Sequence, residues 1–417
     1  MAMTEAQKLN RAKLTSFFEN GCKTDRTLGF ELEHVLLRKG SDAPVSYTET
    51  GGVHDVLEKL APRYRSASYD GNDIVGLSRC REAITIEPAG QLEISAGPFE
   101  RVSEVQKAYE AFRADLDPIL DELGLYTPYV GYNPSAKAKD LQVIPKRRYE
   151  CMTKFLGAQA YSALCMMRCT TSLQISIDYT DEQDAATKLR VAQKATPILA
   201  LICDNVSVFE TEPVEGHLAR TGVWLGMWQD RVGTIPGSLD PTYGFADYAD
   251  YIMTRQAILT PDENEESGWR YVADQTFDEI YADKEMSDSE LEHALSMVWP
   301  DARLKNFVEI RPADALPPAL AYAYTALIKS IFYSDDALRI LDQELVGADE
   351  AGIVDAKRAL MRDGYGATVY DKPATYWADL IVRLAEEGAS TEDATYLGPL
   401  SSLVAARLTP AESHVLA

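Results

Sequence analysis

Polar and apolar residues alternate along parts of this chain with the two-residue period of a strand, and elsewhere with the period of a helix. Strand-like alternation marks four segments, of which the second is predicted to form two strands around a turn: residues 27–37, 82–98, 168–179 and 303–314. Helix-like periodicity marks five segments: residues 5–20, 53–60, 101–123, 150–164 and 180–205.

After about residue 315 the pattern is helical throughout. Helices are predicted over residues 316–334, 336–346, 350–362, 374–388 and 391–408. The strands come singly or in pairs, without regular alternation with helices, which favours an antiparallel α+β architecture over a doubly wound parallel sheet. We therefore expect an α+β domain over residues 1–335 and a helical C-terminal extension, residues 336–417, packed on it.

Three further features concern loops and strand ends. The segment 211–243 is rich in Gly, Pro, Arg and Trp, and it is predicted to be an irregular loop that faces a ligand. The segment 260–268 is predicted to be an acidic loop. Pro312 is expected to end the last strand, because proline has no N–H to donate to a sheet.

Composition narrows the classes of function. The chain has 417 residues, with 41 Lys and Arg against 65 Asp and Glu, so its formal net charge is −24. This charge repels phosphate backbones and anionic lipids, so binding to nucleic acid or to a membrane surface is not expected. No apolar stretch approaches the roughly 18 residues of a membrane span, and the N-terminus has no apolar signal core, which predicts a cytoplasmic protein.

Several common motifs are absent from the sequence. The six cysteines are too few for a disulfide framework, and the close pair Cys165 and Cys169 lacks the further ligands of a zinc site. There is no G-x-x-x-x-G-K-[ST] loop, no G-x-G-x-x-G after a strand, no G-x-S-x-G and no H-E-x-x-H. P-loop, Rossmann, serine-hydrolase and zincin functions are therefore disfavoured.

The chemistry is concentrated in pairs of polar residues placed two apart on predicted strands. Side chains at i and i+2 of a strand point to the same face. The pairs are Glu31 with Glu33, Gln91 with Glu93, Gln174 with Ser176, and Glu309 with Arg311. A sheet with one solvated face is the simple alternative for any single strand. If the strands share one sheet, their carboxylates repel each other unless divalent cations lie between them, which predicts a magnesium site with Glu87 as a further ligand.

Arginines supply the complementary charge. Four of them lie in or beside these strands or in the 211–243 loop: Arg168, Arg220, Arg231 and Arg311. Arginine binds carboxylates and phosphates through two parallel hydrogen bonds. Carboxylates, Mg²⁺ and converging arginines together are typical of a phosphoryl-transfer site, although a surface role is open for each arginine taken alone.

At these residues the sequence resembles the plant and actinobacterial type of glutamate–cysteine ligase, within the glutamine-synthetase-like superfamily. The similar stretches occur in the same order and lie within about residues 27–335. They are IEPAGQLEISAGP (86–98), IPKRRYECM (144–152), MMRCTTSLQISIDY (166–179), ARTGVW (219–224), QDRVGTIPG (229–237) and RLKNFVEIRPAD (303–314).

The resemblance implies a fold, a reaction and its cofactors. The fold would be an antiparallel sheet forming a funnel-shaped active site with helices outside. The substrates would be ATP, L-glutamate and L-cysteine, with two or three Mg²⁺ ions, and the enzyme would be a monomer or a homodimer. The γ-carboxylate of glutamate would form γ-glutamyl phosphate, and the amine of cysteine would displace phosphate to give γ-glutamylcysteine, the first step of glutathione or related thiol synthesis.

The resemblance also implies roles for individual residues. Arg311 and Arg231 would contact phosphate as catalytic residues. Arg168, Arg220, Ser176 and Trp224 would form the substrate end. The predicted metal ligands are Glu31, Glu33, Glu87, Glu93, Gln174 and Glu309.

Two departures leave the amine acceptor open. Ser176 replaces an Asn common in the plant pattern, and Thr221-Gly222-Val223 replaces Ser-His-Ile. The alternatives are a ligase of the same mechanism with another amine acceptor, including one that serves ergothioneine synthesis, a non-catalytic homologue, and a metal-dependent hydrolase.

Overall fold

A computed structural model describes residues 3–227, 230–262, 264–265 and 268–415, and the side chains up to residue 413. Its centre is an eight-stranded sheet. The strands, labelled in chain order, are β1 (Leu28–His34), β2 (Ser66–Asp70), β3 (Asp73–Arg79), β4 (Glu82–Ile86), β5 (Leu92–Phe99), β6 (Ser172–Ile177), β7 (Ala302–Leu304) and β8 (Val308–Asp314).

All neighbouring strands of this sheet are antiparallel, in the order β7-β8-β6-β1-β5-β4-β3-β2. Residues directly opposite each other in such a sheet point to the same face. Four cross-strand pairs bring the predicted polar residues together: Glu31 with Gln174, Glu31 with Ser95, Glu33 with Glu93, and Glu309 with Ser176. The prediction that these strands share one sheet, with their polar residues on one face, is confirmed.

Sixteen helices are found in the part of the chain that the structure describes. They are α1 (Glu5–Glu19), α2 (Val53–Leu60), α3 (Val102–Leu123), α4 (Arg147–Leu156), α5 (Tyr161–Cys169), α6 (Glu182–Ile202), α7 (Ala219–Leu225), α8 (Phe245–Met253), α9 (Phe277–Ile280), α10 (Asp288–Leu295), α11 (Pro318–Phe332), α12 (Asp335–Glu344), α13 (Glu350–Asp363), α14 (Ala374–Gly388), α15 (Ala394–Ala406) and α16 (Pro410–Val415). No described helix is both long enough and apolar enough to span a bilayer.

In the described ranges, short strands outside the sheet form five further pairs. These are Leu37–Arg38 with Leu125–Tyr126, Val208–Phe209 with Glu212–Pro213, Val232–Gly233 with Trp299–Pro300, Gln256–Pro261 with Trp269–Thr276, and Thr368–Val369 with Lys372–Pro373. The α+β architecture with a large antiparallel sheet is therefore confirmed.

The apolar face of the sheet is covered by helices. Leu32 and Ile94 are fully buried on this side, and α3, α6 and α11 pack against the strands. The C-terminal helices α12, α14 and α15 pack on α11. One hydrophobic core runs from the sheet into these helices and includes Trp377 and Leu384. The division of the chain at residue 335 stays a prediction, because this shared core does not mark a boundary there.

Three local predictions were wrong. The single helix predicted over 150–164 is two helices, α4 and α5, and the loop predicted over 211–243 contains helix α7. The strand predicted over 303–314 is a hairpin of β7 and β8. Pro312 lies inside β8 rather than after it, at a shift of the β8–β6 register between Ile310 and Ala313, where no ladder donor is needed.

Candidate active site

A cavity of about 340 Å³ lies on the polar face of the sheet. This is within the range of roughly 300–1,000 Å³ typical of small-molecule sites. Its lining combines charged side chains with the aromatic rings of Tyr149, Trp224 and Trp299. The charged side chains that line it are Glu31, Glu33, Glu87, Glu93, Lys146, Arg148, Arg220, Arg303, Lys305 and Arg311.

The carboxylates of this cavity are near enough to repel one another and are shielded from solvent. Burial and repulsion from Glu93 raise the pKa of Glu31 to about 8. Burial and repulsion from Glu87 and Glu93 raise the pKa of Glu33 to about 8. Burial and the charge of Glu87 raise the pKa of Glu93 to about 7, and burial also raises the pKa of Glu87. The fold thus gathers carboxyl groups whose joint ionisation the surrounding protein does not fully stabilise.

The same carboxylates differ in their hydrogen bonds. Glu33 accepts bonds from the backbone N–H of Ser172 (2.8 Å) and from its hydroxyl (3.0 Å). Glu93 accepts bonds from the hydroxyls of Thr85 (2.8 Å) and Ser95 (3.2 Å). The carboxylate of Glu31 accepts no hydrogen bond from another described residue. Glu31 is therefore positioned by its strand alone and points into the cavity.

Glu309 is a carboxylate of a different kind. It is fully buried, and its oxygens accept from Arg303 Nε at 2.8 Å, Lys305 Nζ at 3.0 Å and Arg311 Nη1 at 2.6 Å. Burial alone would raise the pKa of Glu309, but Arg303, Lys305 and Arg311 together hold that pKa well below its usual range. Glu309 is thus charged and already neutralised by protein cations.

Arg311 is fixed at three points. Its side chain donates to Gln174 Oε1 as well as to Glu309, so it bridges β6 and β8. Its backbone N–H donates to the carbonyl oxygen of Asp301 at 3.2 Å. Its own carbonyl oxygen accepts from Arg220 Nη2 at 3.4 Å. The Arg311 backbone is therefore held at both its N–H and its carbonyl oxygen, and its guanidinium faces the cavity.

Arg220 lies on helix α7, and its side chain contacts β8 where the register with β6 shifts. Its Nη1 donates to the carbonyl oxygen of Pro312 at 3.2 Å and lies 3.8 Å from a carboxylate oxygen of Asp314. The side chain is buried, and Trp224, one turn later, lines the same cavity wall. Two residues predicted for the substrate end, Arg220 and Trp224, are therefore brought together beside Arg311.

A second cavity, of about 480 Å³, adjoins the first, and Glu31 lines both. Its other walls include Gly29, Ser95, Ser176 and Phe307. Ser176 lines this cavity, whereas Trp224 lines the first one, so the two residues predicted to share the substrate end are separated. The sheet face holds two compartments that meet at one carboxylate.

Two predicted arginines lie outside the described residues that line either cavity. Arg168, near the end of α5, donates to the carbonyl oxygens of Ala138 (3.2 Å) and Leu141 (3.0 Å). Arg231 is fully buried and donates to the carbonyl oxygens of Met297 (3.3 Å) and Gln256 (3.2 Å). These contacts give both guanidinium groups structural partners, and their predicted ligand roles stay predictions.

Comparison with known proteins identifies the family. A family model described as "Glutamate-cysteine ligase family 2(GCS2)" matches residues 27–413 of the chain. The chain belongs to this glutamate–cysteine ligase family. It is a ligase enzyme, as the sequence motifs predicted.

Individual relatives extend the likeness over the whole chain. The chloroplastic glutamate–cysteine ligase of Arabidopsis thaliana is 26% identical over 433 residues, which cover 99% of this chain and 80% of that protein. The chloroplastic enzyme of Medicago truncatula is 26% identical over 432 residues, with 99% and 82% covered. Since both names specify the chloroplast, the cytoplasmic location predicted for this chain stays a prediction.

A solved structure shares the fold. The glutamate–cysteine ligase of Francisella tularensis, crystallised in complex with AMP, superposes with a TM-score of 0.54 at 13% sequence identity. The superposition covers 95% of this chain and 85% of that one. The architecture of this ligase is thus that of a known carboxylate–amine ligase.

Four cavity cations of the ligase were not among the site residues predicted from the sequence. Two of them, Arg303 and Lys305, pair with Glu309, and the other two are Lys146 and Arg148. Lys146 and Arg148 both line the main cavity, and Arg148 Nη2 donates to Ser296 Oγ at 2.9 Å. Both belong to the IPKRRYECM stretch that carries part of the family resemblance. The sequence signal was present, but the stretch has three adjacent cations, and the pattern does not say which of them face the site.

The donor set of the ligase fits magnesium by its chemistry. Among the described residues, no three Asp, Glu, His or Cys side chains are grouped closely enough to hold a metal ion as they stand. Glu31, Glu33, Glu87 and Glu93 nevertheless line one cavity, and their raised pKa values express a charge that a divalent cation would offset. Glu309 fits less well, because Arg303, Lys305 and Arg311 already occupy its oxygens.

Proposed function

We propose that this ligase joins the γ-carboxylate of L-glutamate to the amine of L-cysteine, using ATP and Mg²⁺ and passing through γ-glutamyl phosphate. The observation that carries the proposal is the meeting of four half-buried carboxylates and six cations in one cavity of a glutamate–cysteine ligase family member. Carboxylates suit a cation bound to polyphosphate, and arginines suit the carboxylate and phosphoryl groups of the reactants.

The second cavity suits the nucleotide. Its walls combine small and apolar residues, such as Gly29, Ala96 and Phe307, with polar groups such as Ser176, and such a surface accepts a flat base. The AMP bound to the Francisella enzyme supports a nucleotide as a substrate of this fold. Because Glu31 lines both cavities, a triphosphate reaching from this one would arrive beside Arg311.

The main cavity suits the amino acids. Arg220 is a buried cation on its walls and Arg148 a half-buried one. A planar guanidinium holds a carboxylate through two parallel hydrogen bonds. Glutamate bound there would place its γ-carboxylate toward Arg311. The aromatic wall formed by Trp224 and Trp299 is left for the acceptor.

The reaction then needs no protein nucleophile. A γ-carboxylate oxygen bonds to the γ-phosphorus of ATP while the bond from that phosphorus to the bridging oxygen breaks and ADP leaves. The amine nitrogen of cysteine bonds to the new acyl carbon, inorganic phosphate leaves, and the amine gives up a proton. Phosphorylation supplies the leaving group that a carboxylate lacks, so orientation and charge stabilisation are the main contributions of the protein.

Each group of residues has a part in this scheme. Arg311 holds the transferring phosphoryl group, and Glu309 with Gln174 fixes its direction. Magnesium held by Glu31, Glu33, Glu87 and Glu93 would neutralise the polyphosphate charge. These residues therefore act by position and charge.

The proposal is tested by an assay of ADP formation. The purified chain is incubated with ATP, MgCl₂ and glutamate, and each amino acid and a set of small amines are offered in turn as acceptor, with products identified by mass spectrometry. We expect ADP release that requires both glutamate and cysteine, with one γ-glutamylcysteine formed per ADP. ADP release without glutamate would contradict the proposal in favour of a hydrolase, and a preferred acceptor other than cysteine would correct the assignment of the amine.

A further inference from the structure

The C-terminal helical region reaches towards the active site with the side chain of Lys357. Lys357 lies on α13, its side chain is 3% exposed, and its Nζ forms an ion pair with Asp301 Oδ2. Asp301 lies just before β7, and its side chain is 12% exposed. The pair is therefore shielded from water and joins the helical region to a residue next to the sheet.

Asp301 in turn holds the backbone of Arg311. Its carbonyl oxygen accepts from the N–H of Arg311 at 3.2 Å, and its own N–H donates to the carbonyl oxygen of Gly233 at 2.8 Å. A small cavity of about 20 Å³ is lined by Asp301, Lys357, Arg220 and Arg311 together. A single residue, Asp301, thus connects the ion pair to Arg311, whose guanidinium faces the main cavity.

We propose that Lys357 is a positioning residue for Arg311, acting through Asp301, so that the helical region completes the active site of this ligase. The role of Arg311 in phosphoryl transfer rests on the proposed function, whereas the mechanical link rests on contacts alone. At Arg311 the β8–β6 register shifts, so the ladder with β6 does not fix its backbone. On the other side, the bond from its N–H to Asp301 continues the β7–β8 pairing past Ala302 and Ile310. The Asp301 carbonyl supplies the missing constraint, and Lys357 fixes Asp301 from behind.

A second buried Lys–Asp ion pair, among the helices on the apolar side of the sheet, provides a matched control. Lys329 Nζ lies 2.9 Å from Asp393 Oδ2, with side-chain exposures of 16% and 4%. This pair joins α11 to the residue preceding α15, and neither residue lines either active-site cavity among the residues described. Breaking it removes a buried contact of the helical layer without touching the Arg311 backbone.

The test compares three variants with the parent chain by kcat and KM in the ADP assay, at a temperature where all are folded. Lys357→Met should lower kcat at least tenfold, since a misplacement of about 1 Å can lower the rate about a hundredfold. Lys357→Arg, which keeps the charge, should retain most of kcat. Lys329→Met should lower the melting temperature while leaving kcat within about twofold of the parent, as expected for a site that does not touch the chemistry.

Each outcome decides the matter. Equal kcat in Lys357→Met and the parent, or an equal loss in Lys329→Met, would overturn the positioning role. If Lys357→Met does not fold, the double variant that adds Asp301→Asn removes both charges, and its full activity would overturn the role. A parent chain without glutamate-dependent ADP release would contradict the proposed function instead. A crystal structure of a folded variant still tests the link, since an unchanged contact from the Arg311 N–H to Asp301 would refute it.

Discussion

Replacing Glu31 by Gln separates the charge of the carboxylate cluster from its packing. The amide has nearly the same shape, and Glu31 accepts no hydrogen bond from another described residue that the change would remove. What the substitution removes is a negative charge that Glu93 and Glu309 repel. We expect the variant to be more stable than the parent when magnesium is absent, and inactive when it is present.

The direction of this stability change follows from the raised pKa of Glu31. The folded-state pKa of Glu31 is about 8, above its ordinary value of 4.5. The folded chain therefore binds this proton more tightly than the unfolded chain, so the contribution to stability is full below pH 4.5 and is lost as the pH rises to 8. Gln cannot ionise, so the gain of the variant over the parent should grow across this interval.

The size of the gain can be bounded. Taken alone, the rise in pKa corresponds to roughly 5 kcal/mol. The Glu31 side chain is half-buried and faces an open cavity, so solvent screening reduces the expected gain to about 1–2 kcal/mol. With an unfolding entropy of about 2 cal/mol/K per residue, this gain raises the melting temperature of a chain of this length by about 1–2 °C.

The measurement is thermal unfolding in EDTA at pH 5 and pH 8.5, with Glu58→Gln on the exposed surface of α2 as the control. The Glu31 variant should exceed both parent and control at pH 8.5 and differ little at pH 5. With MgCl₂ at about ten times its Kd, the parent should gain about 1.4 kcal/mol, and the variant less. A lower melting temperature of the variant in EDTA, or equal gains from magnesium, would refute the reasoning.

Four other substitutions test the remaining parts of the site. Glu309→Gln should act in the opposite sense, because it leaves buried cations unpaired and lowers stability by about 3–5 kcal/mol, seen by denaturant unfolding, and ADP formation should be lost. Arg311→Lys should keep the fold by circular dichroism yet lower kcat at least about tenfold, since a point charge does not replace a planar fork; normal kcat would remove Arg311 from the site. Arg148→Met should raise KM for glutamate, whereas Arg168→Met should leave that KM unchanged, and the reverse result would restore the sequence-based assignment.

The polar face of the sheet could be predicted because its signal is local. A strand repeats every two residues, so Glu31 with Glu33, or Gln174 with Ser176, must share a face once the segment is extended. The antiparallel register then places Glu33 opposite Glu93. The sequence reasoning succeeded for the shared face, because the alternation along each strand fixes which side chains point the same way. The cation between these carboxylates stays a prediction.

The arginines could not be assigned in the same way, because a helix turns its side chains through all directions. Arg147 and Arg148 are neighbours on α4, yet Arg147 is exposed and pairs with Glu150, whereas Arg148 faces the cavity. Arg168 is near the end of α5 and turns toward the carbonyls of Ala138 and Leu141. Which arginine meets the ligand depends on how each helix docks, and the local pattern does not contain that information.

Pro312 shows how a correct local rule led to a wrong boundary. Proline lacks a ladder donor, so a strand is expected to end there, yet β8 continues to Asp314 through a shift in register. The shift frees the carbonyl oxygens of Arg311 and Pro312, and Arg220 donates to both. The proline that seemed to end the strand thus creates the place where Arg220, 91 residues away from Arg311 in sequence, docks beside it. Whether two residues so far apart in sequence meet is decided by the assembled sheet. The proline in the strand pattern therefore indicates where the strand is irregular, but not that Arg220 docks there.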